Sequence, residues 1–144
     1  MARTILVIGA VGWLVVAHVG LGTAMLGTDA LIAALPPLAI DADALGGALT
    51  VIAVASMLIG AAHVGIVAGL VRDLRRARSA GVLLASVLAV GFLGLAATAA
   101  ASALREPPLA PLLAAACLAA AAAAIGYALT VARLIGDLRS GSAV

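Results

Sequence analysis

Residues 44–71 read ALGGALTVIAVASMLIGAAHVGIVAGLV, without one Asp, Glu, Lys or Arg, and run directly into the basic segment Arg72-Asp73-Leu74-Arg75-Arg76-Ala77-Arg78. The hydrocarbon core of a bilayer, about 30 Å thick, is crossed by roughly 20 apolar residues of α-helix. The stretch therefore reads as a transmembrane helix, and the arginines after it mark the end that stays in the cytoplasm.

The rest of the chain has the same character. Of its 144 residues 66% are hydrophobic and 10% charged, and the mean hydropathy is +1.32. Soluble domains carry about 45–50% apolar and about 25% charged residues. A chain of this composition cannot cover itself with polar surface, so lipid must be its solvent. The single cysteine, Cys117, excludes an intramolecular disulfide, a CxxC redox pair and a cysteine-based zinc site.

Charge-free windows extend over Thr4–Thr28, Ala44–Val71, Ser79–Leu104 and Pro107–Ala132. They predict an all-α fold, a four-helix transmembrane bundle forming one membrane domain over residues 1–144. The expected spans are Ile5–Leu26, Gly46–Val71, Ala80–Leu104 and Leu109–Leu134. The first apolar run exceeds the 7–15 residues of a signal-peptide core and reads as a retained helix. Residues 27–45 form the one long loop, on the outer side. It contains Asp29, Asp41 and Asp43, and an apolar piece, Ala30–Ile40, that Pro36-Pro37 keeps from being a continuous helix. Residues 72–78 form a short basic loop, and Arg105-Glu106-Pro107-Pro108 joins the last two spans.

Orientation follows from the arginines. Arg3, Arg72, Arg75, Arg76, Arg78, Arg133 and Arg139 fall on one side and only Arg105 on the other. The positive-inside rule then places both termini in the cytoplasm of a cell whose inner membrane the protein crosses. Topology signalling accounts for Arg72, Arg75, Arg76 and Arg78 without nucleic-acid or specific lipid binding.

The second and fourth spans end alike: Val67-Ala68-Gly69-Leu70-Val71-Arg72-Asp73-Leu74-Arg75 against Val131-Ala132-Arg133-Leu134-Ile135-Gly136-Asp137-Leu138-Arg139. Ala2-Arg3-Thr4 likewise matches Ala77-Arg78-Ser79, and Gly20-Leu21 matches Gly94-Leu95. These matches predict a duplicated hairpin, 1–75 and 76–139, related by an axis along the membrane normal. In this alignment His63 corresponds to Tyr127 and His18 to Phe92. With Ser56, these are the candidates for an interior site or path.

His18 and His63 share the setting Ala-His-Val-Gly. An ionisable side chain inside a span is costly and faces the bundle interior as a rule. One reading makes both imidazoles ligands of haem b or a metal ion. Depth opposes it: His18 lies roughly 22 Å from the cytoplasmic Arg3 and His63 roughly 15 Å from Asp73 at 1.5 Å per residue. The plainer reading, and the favoured one, has each ring bonded to polar groups of a neighbouring helix, with no cofactor.

On the second span Ala61, Gly65 and Gly69 form a small-xxx-small ridge suited to close helix packing. Ser56, Gly60, His63 and Val67 fall on another side. No nucleophile elbow, HExxH, P-loop or dinucleotide fingerprint is present, and no acidic residue lies at membrane depth. The sequence points to a small non-enzymatic membrane protein, an oligomeric transport component or accessory subunit with itself or another membrane protein as partner. The alternatives are a redox protein holding haem or metal through His18 and His63, and a holin-like pore.

Overall fold

The computed structural model describes residues 2–29, 32, 41–105 and 107–140. The architecture is all-α, with four long helices among the described residues: α1 (Ala2–Leu26), α2 (Ala42–Val71), α3 (Arg75–Arg105) and α4 (Ala110–Arg139). All four are long and apolar enough to cross a membrane. They pair in sequence order as two hairpins, α1 with α2 and α3 with α4, and the chain divides into two compact units. One holds Leu6–Gly65, and the other holds the remainder, including the first turn of α1 and the last of α2.

The helices overrun the charge-free windows. α2 begins at Ala42 instead of Gly46, α3 at Arg75 instead of Ala80, and α4 runs to Arg139, past Leu134. A charge-free window measures the thickness of hydrocarbon. A helix continues beyond it into the headgroup layer wherever propensity allows, and arginine is a good helix former. The expected basic loop 72–78 thus shrinks to Arg72–Leu74, with Arg75, Arg76 and Arg78 in the first turn of α3. Of the outer loop, Ala30, Leu31, Ala33–Ile40 and with them Pro36-Pro37 lie outside the described residues, as does Glu106. A 3₁₀ turn, Pro107–Leu109, leads into α4, whose first turn contains Pro111. Proline costs little there because the first amides of a helix have no intrahelical acceptor.

The α2–α3 connection is a tight cap. Asp73 sits in the left-handed region at φ 55°. Leu74 N–H donates to the Gly69 carbonyl (3.0 Å) and Asp73 N–H to that of Leu70 (3.3 Å). This is the Schellman pattern of hydrogen bonds, with aspartate where glycine is commonest. The Asp73 carboxylate pairs with Arg78 one turn into α3. From the other end of the sequence, Arg3 Nη2 donates to the Leu70 carbonyl (2.9 Å). Two arginines thus engage the end of α2, Arg3 as a second donor to the Leu70 carbonyl and Arg78 at the Asp73 carboxylate, and the first turn of α1 is tied to the Arg72–Arg78 end.

Large apolar side chains are exposed on every helix: Ile8 and Val19 on α1, Leu58 on α2, Val90 on α3, Leu118 on α4. In water such surface would aggregate. In lipid it is ordinary.

Candidate functional site

In the first hairpin small residues set the register. A Cβ on Gly20 would meet the Ala53 side chain and the Leu49 carbonyl at 3.4 Å, and one on Gly60 would meet Leu14 at 3.1 Å and the Ala10 carbonyl at 3.6 Å. The buried residues of α2 follow heptad-like steps, Ala53, Ser56, Gly60 and His63, against Leu6, Ala10, Ala17 and Gly20 of α1. His63 is fully buried and its Nδ1 lies 2.8 Å from the Ile59 carbonyl. Ser56, two turns away on the same face, is 1% exposed.

His18 is placed differently. It is exposed on the outer side of α1, with Nδ1 2.7 Å from the Leu14 carbonyl. The antiparallel register puts His63 level with Ala10, eight residues from His18, or about 12 Å along the helix. One ring faces inward and the other outward, at different depths. The hairpin does not bring the two imidazoles together, so one chain does not present them as a pair of axial ligands. Nor do three His, Cys, Asp or Glu side chains come together among the described residues.

In the second hairpin Phe92 and Tyr127 stack, ring centroids 5.9 Å apart and planes 8° from parallel. Tyr127 is 5% exposed. One turn on, Thr130 is fully buried and its hydroxyl donates to the Gly126 carbonyl (3.0 Å). Backbones approach closely here as well. A Cβ on Gly81 would meet Leu134 at 2.8 Å and Ile66 at 3.3 Å, and one on Gly69 would come within 2.5 Å of the Ala77 Cβ.

The buried pattern relates the hairpins. Ser56, Gly60, His63, Ile66 and Leu70 on α2 are buried, and so are Ala120, Ala124, Tyr127, Thr130 and Leu134 on α4, each 64 positions later. The same step of 64 links Arg75 to Arg139 in the shared ending. On the partner helices Leu6 and Ala10 match Gly81 and Ala85 at a step of 75, and all four are buried. Carried on, that step pairs Phe92 with Ala17 and His18 with Leu93, which is exposed as His18 is. The match does not run the whole length of these helices: at the same step buried Gly20 falls on exposed Leu95.

Of the small-residue ridge, Gly69 is buried against the start of α3, while Ala61 and Gly65 are exposed, with nothing within 4 Å of a Cβ on Gly65. Arg72, Arg75 and Arg76 are exposed. Neither family models, nor curated proteins, nor solved structures contain a match to this chain.

Proposed function

We propose that this chain is a four-span inner-membrane protein, both termini cytoplasmic, that works without catalysis as one subunit of a larger membrane assembly. The observation that carries the reading is His18: an imidazole exposed on the outer face of a membrane-crossing helix, whose one hydrogen bond goes to its own backbone. Polar side chains at membrane depth are rare on a lipid-facing surface because hydrocarbon offers them no partner. Another protein surface does. The exposed Ala61–Gly65 part of the small-residue ridge adds a place where a second helix can approach closely.

His63, Ser56, Tyr127 and Thr130 act in this reading as interior packing groups. The equivalent buried stripes on α2 and α4 support descent of the two hairpins from one duplicated unit, with a polar ring kept at the same inner position in each. The arginine distribution, seven of eight at one side, supports the N-in, C-in threading. A transport role for the assembly is a further part of the proposal, motivated by the small size of the chain, its close-packing seams and its minimal soluble parts.

The test is the mass of the protein in polymer-bounded patches of native membrane, never exposed to detergent. Particles holding two or more copies, or one copy with a second protein, are expected. Single copies only, at native expression level, would overturn the reading.

A further inference from the structure

Resting on the threading proposed above, and not on the assembly, we propose that the α2–α3 turn and Arg3 form a binding surface for the phosphate groups of an anionic phospholipid in the cytoplasmic leaflet. Topology signalling asks only that Arg72, Arg75 and Arg76 stay on one side of the membrane. It does not require Arg3 at the same turn. Yet Arg3, 67 positions before Leu70, donates through Nη2 to the Leu70 carbonyl (2.9 Å), two residues short of Arg72. The first turn of α1 and the whole α2–α3 turn belong to one compact unit.

Charge at this turn is left unbalanced. Its one carboxylate, Asp73, is taken by Arg78. Arg72, Arg75 and Arg76 are exposed, and among the described residues no carboxylate pairs with them or with Arg3. The Leu70 contact engages Nη2 of Arg3, one of its three guanidinium nitrogens, and holds the side chain without neutralising it. A guanidinium fork matches two oxygens of a phosphate, so the turn offers one or two phosphates charge and geometry together. Apolar surface decides between a lipid and a soluble anion. Val71 and Leu74 flank Arg72-Asp73 and are 67% and 51% exposed. A phospholipid whose phosphate sits on the arginines can lay acyl chain or glycerol against them. Free phosphate or nucleic acid would leave both in water. A lipid with two phosphates engages more of the unpaired guanidiniums than a lipid with one, and is the class expected to bind tightest.

The experiment is a lipid titration of the whole chain in mild detergent at low salt, with bound lipid counted by mass spectrometry of the intact protein. Cardiolipin, with two phosphates, is compared with phosphatidylglycerol, with one, and with zwitterionic phosphatidylcholine. Retention in that order is expected. Arg3→Gln, Arg72→Gln and Arg76→Gln should each weaken cardiolipin about fivefold, the contribution of one juxtamembrane arginine. Arg105→Gln, at the opposite end, should leave binding unchanged, and Leu74→Ser should weaken it. Phosphatidylcholine retained as well as cardiolipin, or a loss in Arg105→Gln as large as in the other three, would overturn the surface. Cardiolipin displaced by an equal concentration of inorganic phosphate, or bound equally by Leu74→Ser, would make this a site for soluble anions and overturn the lipid. Threading has no influence in micelles, so these outcomes are separate from its failure, which labelling of Arg76→Cys from outside intact cells would reveal. Copy number in native membrane patches decides the assembly whichever way the titration falls.

Discussion

Gly69 and Gly65 stand one turn apart on α2 with opposite surroundings. A methyl at Gly69 would collide with the Ala77 Cβ, an atom that moves only if the α3 backbone moves, whereas a methyl at Gly65 meets nothing in the chain. Gly69→Ala is therefore expected to destabilise by about 1–3 kcal/mol, the usual range for overpacking. Gly65→Ala should be neutral or gain about 0.5–1 kcal/mol from helix propensity. Thermal unfolding in detergent, followed by the reactivity of the half-buried Cys117 thiol, separates the two. The histidines make a second contrast. His63→Ala empties a fully buried volume and should lose about 2 kcal/mol or more in the same assay. His18→Ala, at an exposed position, should stay within about 0.5 kcal/mol as a monomer. Equal losses would show that the inward and outward placements are not as described. That both residues are polar in apolar runs was legible at once. Which one the fold encloses was not, because each lies in the same four-residue setting and the local sequence carries no information about its partner helix.

At the scale of elements, the α2–α3 cap depends on one residue in the left-handed region. For L-residues that region costs roughly 1–2 kcal/mol, least for Asp and Asn, and glycine is free of the cost. Asp73→Gly should thus hold stability within about 1 kcal/mol, its backbone relief offsetting loss of the exposed pair with Arg78. Asp73→Val should lose about 1–2 kcal/mol, since a β-branched side chain neither fits the conformation nor pairs with arginine. The unfolding assay reads both. The same Asp-Leu-Arg ending has another fate on α4, where Asp137 remains helical and the helix stops only after Arg139. The motif alone does not terminate a helix. α2 ends because α3 must turn back against it, and nothing of the kind follows α4 among the described residues.

For the whole molecule, threading is the property with the largest consequence. In a Cys117→Ser background, Asp41→Cys should react with a membrane-impermeant maleimide added to intact cells whose outer layer has been opened. Arg76→Cys should react only after lysis. Replacing Arg72, Arg75, Arg76 and Arg78 together by alanine removes four of the seven arginines on one side. It should therefore produce a mixed population labelled from both sides, as positive-inside bias predicts. Unchanged one-sided labelling would mean that another signal, such as the order of insertion of the spans, sets the topology.

Composition and charge spacing by themselves determined that this chain is all-helical, that it has four segments long and apolar enough to cross a membrane, and that successive segments form hairpins. Those properties depend on how many apolar residues follow one another and where the arginines interrupt them, quantities the chain carries residue by residue. Only the tertiary structure decided where each helix stops, which glycines are in contact, and that His63 lies inside while His18 lies outside. In a chain two-thirds hydrophobic, the lipid-facing and protein-facing sides of a helix have nearly the same polarity. The inward face is then chosen by shape, by small residues that let another helix approach, and shape is a property of two segments together.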